Sequence, residues 1–184
     1  MQGVLPGALR ISGALAFLCL WGWTGLLAQA VNPDAALVYR RLAPRVVKVQ
    51  AVERSSGAKA AIGSGFFVSA SGEVVTNYHV VSALVNQPDR YRADLIDGRD
   101  VSRPAEILAI DVVHDLAVLH VEPAGDPWFD LVPTAVERGT RLYSMGHPLD
   151  LGLSIVEGTY NGLLEHTLYP RIHFTGSINP GMSG

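Results

Sequence analysis

From Pro44 onward, the chain is a succession of short runs rich in β-branched and aromatic residues, separated by turn-forming residues. Runs of this length and composition predict β-strands. Ser71-Gly72 and Asp97-Gly98 stand between neighbouring runs and are typical of hairpin turns. The sequence therefore predicts an all-β fold. The predicted strands are Val46–Val52, Ser64–Ser69, Val74–Thr76, Tyr91–Ile96, Val101–Ile110, Leu116–Val121, Arg141–Met145, Ser154–Leu164 and Arg171–Thr175.

The segment Pro123–Pro127 is the best candidate for a linker, because two prolines and a glycine stop any strand there. Six predicted strands precede it, enough for one small closed barrel, and three follow it. All-β folds with two barrels need about 200 residues or more. We therefore expect a first barrel at about residues 44–122, a linker at about 123–127 and an incomplete second barrel at about 128–184.

The first thirty residues differ in character from the rest of the chain. Arg10 is their only charged side chain, Ile11–Leu27 is almost wholly apolar, and Ala28-Gln29-Ala30 follows. A positive charge, an apolar stretch and a small-x-small site together predict a secretory signal peptide at residues 1–30, cleaved after Ala30. The alternative is an uncleaved membrane anchor, because the apolar stretch is at the short end of what spans a bilayer. Cleavage would place residues 31–184 in the periplasm or outside the cell.

A short helix is expected directly after the signal. Asn32 and Asp34 are both suited to cap it, Pro33 fits its first turn, and it would end near Leu42, before Pro44. Cleavage also removes Cys19, the only cysteine. The exported chain would then hold neither a disulfide nor a cysteine nucleophile.

Composition and motifs exclude several classes of function. The 14 basic residues are scattered and the formal net charge is −3, so no surface for nucleic acid is predicted. No phosphate-binding glycine loop and no thiolate site is present, and no cofactor is expected. His114 and His120 are expected to share a strand six residues apart, about 20 Å at the rise per residue, too far to bind one metal ion, and no metal site is predicted.

Three short segments carry His79, Asp115 and Ser183, in that order. A serine becomes a strong nucleophile when a histidine takes its proton, and a carboxylate fixes the tautomer of that histidine. The order His, Asp, Ser matches the chymotrypsin class and differs from subtilisins and α/β-hydrolases. Each residue alone fits an ordinary role in a turn, at the surface or at a strand end. Together they predict a catalytic triad.

The glycines around the serine support this interpretation. Gly181 and Gly184 flank Ser183, and a tight turn of backbone N–H groups needs residues without obstructing side chains. The N–H groups of Gly181 and Ser183 are the natural donors of an oxyanion hole, where one donor contributes on the order of 3 kcal/mol to transition-state stabilisation.

The chain resembles the bacterial HtrA/Deg-type branch of the trypsin-like serine proteases from roughly Leu37 to Gly184. The segments that carry the resemblance are Gly63–Phe66, Thr76–Val81, Asp97–Arg99, Asp111–Leu119, Gly146–Leu151, Ser154–Leu164 and Ile178–Gly184. The resemblance implies a trypsin-like double β-barrel in which His79 is the base, Asp115 the orienting acid and Ser183 the nucleophile. It also implies a cofactor-free protease of polypeptides, often misfolded exported proteins, and is compatible with a homo-oligomer.

Some positions refine the resemblance. Met182 and His147 stand where Deg proteases commonly carry asparagine. Methionine before the nucleophile cannot pair with a newly cut N-terminus, so activation by N-terminal insertion is not expected. Val80 stands where the digestive enzymes place a disulfide cysteine, which again favours the bacterial branch. Ser177 corresponds to the floor of the primary specificity pocket, and a small neutral residue there implies small aliphatic substrate side chains.

Two functional hypotheses remain open from the sequence. The first is an active endopeptidase that uses the triad through an acyl-enzyme. The second is a non-catalytic module of the same fold that binds or scaffolds exported polypeptides, or an inactive fragment. The position of Ser183, one residue before the end of the sequence, leads us to expect a truncated second barrel and weak or no activity in these 184 residues alone.

Overall fold

The structure, a computed structural model, describes residues 33–133 and 135–184. The predicted signal peptide lies outside these residues. No helix in the described ranges has the length and apolar character needed to cross a bilayer. The helices are α1 (Pro33–Leu42) and α2 (Tyr78–Asn86). The strands are β1 (Val46–Glu53), β2 (Lys59–Phe67), β3 (Glu73–Thr76), β4 (Tyr91–Ile96), β5 (Ser102–Asp111), β6 (Leu116–His120), β7 (Arg141–Gly146), β8 (Ser154–Leu163) and β9 (Ile172–Phe174).

The first six strands form a closed antiparallel barrel in the order β1-β2-β3-β6-β5-β4, with β4 pairing back onto β1. Val49 at the middle of β1 lies opposite Gly63 of β2 on one side and Leu95 of β4 on the other. Because the barrel is closed, the strands at the two ends of this order, β1 and β4, pair with each other and neither is left as an edge. The buried core of the barrel consists of Val47, Val49, Phe67, Val74, Val80, Val81, Ala93, Leu95, Ala105, Ala117, Leu119 and Val121.

Helix α2 was not predicted from the sequence. Its residues are rich in valine, which favours strands, yet Val80 and Val81 are buried in the barrel core and Leu84 packs against the same cluster. These three positions lie on one face of a helix, because residues three and four apart are neighbours there. Packing of this face against the barrel outweighs the weak local propensity. The result places His79 beside the barrel, directly before the buried Val80.

The remaining strands form a three-stranded sheet in the order β7-β8-β9. β7 and β8 pair regularly from Arg141↔Thr159 to Gly146↔Ser154, whereas the register between β8 and β9 shifts. Leu163 and Ile172 of this sheet are exposed. The predicted all-β class, with one barrel, a partial second sheet and a short N-terminal helix, is confirmed.

Most strands begin and end within two residues of their predicted limits, with two corrections. Strand β2 starts at Lys59 rather than Ser64, because pairing with β1 extends the ladder through residues of low β-propensity. His114 does not share a strand with His120. It lies in the turn before β6, where its ring Nδ1 and the Oδ2 of Asp111 are 2.6 Å apart.

Candidate active site

Asp115 binds both the ring and the main chain of His79. Its Oδ2 lies 2.7 Å from the ring Nδ1, and its Oδ1 accepts a hydrogen bond of 2.9 Å from the main-chain N–H of the same histidine. A carboxylate at Nδ1 favours the tautomer that carries its proton there and leaves Nε2 free to accept one. The His79 side chain is 54% exposed, so the ring is not sealed inside the protein.

The main chain of Asp115 also holds the start of α2. Its carbonyl accepts hydrogen bonds from the Tyr78 N–H at 3.1 Å and from the Asn77 Nδ2 at 2.7 Å. The first N–H groups of a helix lack partners within the helix, and Asp115 satisfies those of Tyr78 and His79 from a distant turn. Asp115 adopts a φ of +56°, a left-handed conformation that aspartate tolerates better than most residues. The turn before β6 and α2 are thus bound together through this residue.

The segment before Ser183 forms a β-turn of a recognisable type. The Met182 N–H donates to the Asn179 carbonyl at 3.1 Å, and Pro180 and Gly181 occupy the central positions. Gly181 has a φ of +91°, as the third residue of a type II turn requires. A Cβ at Gly181 would lie 2.5 Å from the carbonyl oxygen of His147, so the turn also packs closely against that segment. Asn-Pro-Gly in the sequence therefore encodes this geometry directly.

Hydrogen bonds from two other elements fix the peptide groups of this turn. The Leu149 N–H donates to the Pro180 carbonyl at 3.0 Å. Because the C=O and N–H of a trans peptide point in opposite directions, this bond turns the Gly181 N–H away from Leu149. The Ser64 N–H donates to the Ser183 carbonyl at 2.5 Å. The N–H groups of Gly181 and Ser183 have no protein acceptor within the described ranges, which leaves both able to bind a substrate oxygen.

The loop 179–184, which contains Ser183, lies against the segment that carries His79. A Cβ at Gly63 would be 2.5 Å from Cγ2 of Val80 and 2.9 Å from the carbonyl oxygen of Ser183, so both groups contact the same point of β2. Among the described contacts, the Ser183 hydroxyl and His79 form no hydrogen bond. In enzymes without substrate, hydrogen bonds of this kind are often long and shorten in the substrate complex.

The segment 147–150, directly after β7, contacts the Asn179–Met182 turn through the Leu149 N–H. Asp150 bridges two lysines of the first barrel, at 2.8 Å to Lys48 and 2.5 Å to Lys59, and these hydrogen bonds lower the pKa of the Asp150 carboxyl. Leu149 and Asp150 have φ values of +51° and +61°, conformations that side chains adopt at a cost. These two ion pairs attach the segment to β1 and β2, and the segment in turn contacts Pro180 through Leu149.

His147 in the same segment is buried, and its Nδ1 has no hydrogen-bond partner in the part of the chain that the structure describes. Burial, and secondarily the charge of Lys48, lower the pKa of His147 to about 4, and Asp150 opposes this shift. The imidazole is therefore neutral at physiological pH. His147 acts here as a packing residue whose main-chain carbonyl lies close to Gly181.

The predicted pocket residue lies apart from these contacts. Ser177 is exposed and follows β9. A cleft of about 690 Å³ lies elsewhere, between the β4–β5 turn, the segment around Asp126 and the segment containing His147, and none of His79, Asp115 and Ser183 lines it. No group of three or more metal-binding side chains occurs in residues 33–133 or 135–184. The specificity role of Ser177 stays a prediction.

Comparison with known proteins shows the family of this chain. Residues 63–184 match the family model described as a trypsin-like peptidase domain. The chain belongs to the trypsin-like peptidase family. The sequence resemblance to the HtrA/Deg branch is confirmed by relatives and solved structures that carry those names.

The similarity to two relatives and one solved structure covers most of this chain but only part of each of those proteins. A probable periplasmic serine endoprotease, DegP-like, from Halomonas elongata is 34% identical over 128 residues, covering 67% of this chain and 26% of the relative. Protease Do-like 5, chloroplastic, from Arabidopsis thaliana is 26% identical over 174 residues, covering 80% and 54%. The crystal structure of the serine endoprotease from Yersinia pestis has a TM-score of 0.70 at 26% identity, covering 84% of this chain and 53% of that one. The chain thus spans about a quarter to about half of these proteins.

Sequence reasoning missed three contributors to the site. Asn77 donates to the Asp115 carbonyl, Leu149 donates to the Pro180 carbonyl, and Ser64 donates to the carbonyls of Gly181 and Ser183. For Ser64 a signal was present, because a serine between two glycines in a strand marks a close approach of another backbone. The contacts of Asn77 and Leu149 depend on tertiary structure and leave no local pattern.

Proposed function

We propose that the protein is an exported serine endopeptidase with His79 as base, Asp115 as orienting acid and Ser183 as nucleophile. The observation that carries the proposal is the double hydrogen bond between Asp115 and His79, at 2.7 and 2.9 Å. Membership of the trypsin-like peptidase family and relatives named serine endoproteases support the same chemistry.

In the proposed reaction, the Ser183 Oγ attacks the scissile carbonyl carbon while His79 Nε2 takes the hydroxyl proton. The tetrahedral intermediate carries its negative charge on the former carbonyl oxygen, which the N–H groups of Gly181 and Ser183 stabilise. Asp115 stabilises the imidazolium. Collapse of the intermediate breaks the C–N bond, the amine leaves with the proton from His79, and the acyl group stays on Ser183. Water, deprotonated by His79, then hydrolyses the ester.

The location and the substrates belong to this proposal. The apolar leader ending in Ala28-Gln29-Ala30 favours export to the periplasm, and the Halomonas elongata relative is named a periplasmic enzyme. A chloroplast relative shows that the family also operates in another compartment. We propose polypeptides, in particular misfolded exported proteins, as substrates, with a preference for small aliphatic side chains because Ser177 is small and neutral.

One observation favours a second candidate, a non-catalytic module that binds polypeptides. The Ser183 hydroxyl is not hydrogen-bonded to His79 among the described contacts. A binding module would not need this contact, whereas a protease would form it when substrate arrives.

Labelling with a fluorophosphonate probe tests the endopeptidase, since the probe reacts only with an activated serine. We expect the full-length protein to be labelled and Ser183→Ala in that protein to abolish labelling. Ser82→Ala, which removes another hydroxyl that contacts the His79 main chain at 3.0 Å, is the matched control and should be labelled normally. Labelling that persists in Ser183→Ala would disprove the nucleophile, and a folded parent protein that stays unlabelled would favour the binding module.

A further inference from the structure

Ser64, in the wall of the first barrel, contacts the loop that carries the proposed nucleophile (residues 179–184) at two points. It is 3% exposed, lies in β2 and forms hydrogen bonds through its N–H, its Oγ and its carbonyl. Its N–H donates to the Ser183 carbonyl at 2.5 Å, and its Oγ donates to the Gly181 carbonyl at 2.9 Å. The same Oγ accepts from the His147 N–H at 2.9 Å, and the Ser64 carbonyl accepts from the Thr76 hydroxyl at 2.6 Å.

The two bonds from Ser64 to the Gly181 and Ser183 carbonyls restrict how the two proposed oxyanion donors are oriented. The carbonyls of Gly181 and Ser183 each follow one of the donor N–H groups in the chain, so fixing them limits rotation of both donor residues. The Pro180 carbonyl, on the other side of the Gly181 N–H, is held by Leu149. The Gly181 N–H therefore lies between two anchored carbonyls. Stabilisation of an oxyanion depends on donors that are already in place before the charge develops.

The hydroxyl of Ser64 also joins the two supports of the loop. By accepting from His147, it ties the segment that carries Leu149 to the same oxygen that holds Gly181. Alanine at this position would leave the Gly181 carbonyl and the His147 N–H without this partner in a buried environment. Space is also restricted, because a Cβ at Gly146 would lie 2.8 Å from the Ser64 Oγ. A small side chain with one donor and one acceptor fits both requirements.

We propose that Ser64 is a positioning residue that sets the oxyanion-binding geometry of Gly181 and Ser183. The inference rests on the proposed endopeptidase function and assigns no direct contact between Ser64 and substrate. It predicts that loss of the hydroxyl weakens transition-state binding more than substrate binding. The His79–Asp115 pair is untouched, so the pH dependence set by the histidine should stay the same.

The test compares Ser64→Ala with Thr76→Val in the purified protein. Thr76→Val removes another buried hydroxyl of the same barrel and leaves the Ser64 hydroxyl intact, so it controls for loss of stability. For each variant, kcat, KM, the pH profile of kcat/KM and the rate of fluorophosphonate labelling are measured below the melting temperature. Ser64→Cys, which keeps a small side chain with a weak donor, replaces Ser64→Ala if the alanine variant does not fold.

We expect Ser64→Ala to lower kcat and the labelling rate at least tenfold with KM changed less than threefold and the pH profile unshifted. Ser64→Cys should fall between alanine and the parent, and Thr76→Val should keep kcat within about twofold. Unchanged kcat in Ser64→Ala, or an equal loss in Thr76→Val, would overturn the positioning role while leaving the protease assignment intact. A folded parent protein that the probe does not label would instead overturn the protease assignment, and the positioning role with it.

Discussion

Asp115 holds His79 by two atoms at once, its Oδ2 lying 2.7 Å from the ring Nδ1 and its Oδ1 accepting from the main-chain N–H at 2.9 Å. The second bond satisfies a main-chain N–H at the N-terminus of α2 with the same carboxylate. Ring and backbone of the histidine are thus fixed by the same side chain. Loss of the carboxylate charge should therefore affect the tautomer of His79 without removing the contact to the helix.

Asp115→Asn should lower kcat by about four orders of magnitude, because an amide no longer selects the tautomer with a free Nε2. Asparagine tolerates the left-handed backbone at this position, so the fold should persist. Steady-state hydrolysis of a peptide substrate measures the effect. Asp111→Asn is the matched control, since Asp111 pairs with the ring of His114 at 2.6 Å outside the proposed triad. An equal loss in both variants would contradict a specific role for Asp115.

Gly181→Ala should reduce kcat at least a hundredfold, about the effect of losing one oxyanion donor. The new Cβ would lie 2.5 Å from the His147 carbonyl oxygen and would sit on a residue with φ of +91°, so the turn must move. Gly57→Ala is the control, because Gly57 also has a positive φ, of +73°, but nothing within 4 Å of its Cβ position. Fluorophosphonate labelling rates and circular dichroism separate lost activity from lost fold. Normal labelling of Gly181→Ala would argue against this oxyanion hole.

The contrast between α2 and the Asn179–Met182 turn shows what the sequence can and cannot encode locally. The turn is specified by Pro and Gly at adjacent positions, and its geometry could be predicted from them. The helix is stabilised by burial of Val80 and Val81 and by hydrogen bonds that its first N–H groups donate to Asp115, which lies far along the chain. No local pattern contains that information, so the valine-rich segment gives no helix signal.

The site residues show the same difference between what local sequence encodes and what depends on tertiary contacts. His79, Asp115 and Ser183 could be singled out because their chemistry and order are informative without coordinates. Ser64 could not be given a role, since its importance depends on which carbonyl groups the fold places against β2. The sequence also does not reveal that His147 is buried without a partner for Nδ1, because nothing in the run Gly146–Leu151 distinguishes a surface histidine from a packed one.

His147→Asn should make the protein less sensitive to acid. In the folded protein the pKa of His147 is lowered to about 4, whereas an unfolded histidine has a pKa of about 6.5. Between these values the unfolded chain binds a proton that the folded protein does not, so the free energy of unfolding falls as the pH drops from 6.5 towards 4. Above pH 6.5 this contribution is absent. At pH 4.5 the expected cost is roughly 2 to 3 kcal/mol, and asparagine removes it.

Urea unfolding at pH 7.5 and pH 4.5 measures this difference. His166→Asn is the control, because His166 is exposed and has a φ of +60°, which asparagine accepts. The stability lost between the two pH values should shrink in His147→Asn and stay at the parental value in His166→Asn. A parental loss in both variants would show that His147 is not the group that resists protonation.

Asp126→Ala should destabilise the first barrel by about 3 kcal/mol, because it leaves the guanidinium of Arg103 buried without its counter-charge. The pair is bidentate, at 2.7 and 3.0 Å, and the side chains are only 12% and 10% exposed. Arg103 also lies over the ring of Phe67, 5.5 Å from its centre, so the charge cannot easily move into water. Through this pair the segment after β6 is fastened to β5.

Two further variants identify the cause of that loss. Asp130→Ala removes a nearby exposed carboxylate and should change the free energy of unfolding by less than about 0.5 kcal/mol. Replacing both partners, Arg103→Met with Asp126→Leu, removes the unpaired charge and should recover most of the stability, since buried ion pairs often add little over apolar packing. If the double variant is as unstable as Asp126→Ala, the loss comes from packing of the linker rather than from an uncompensated charge.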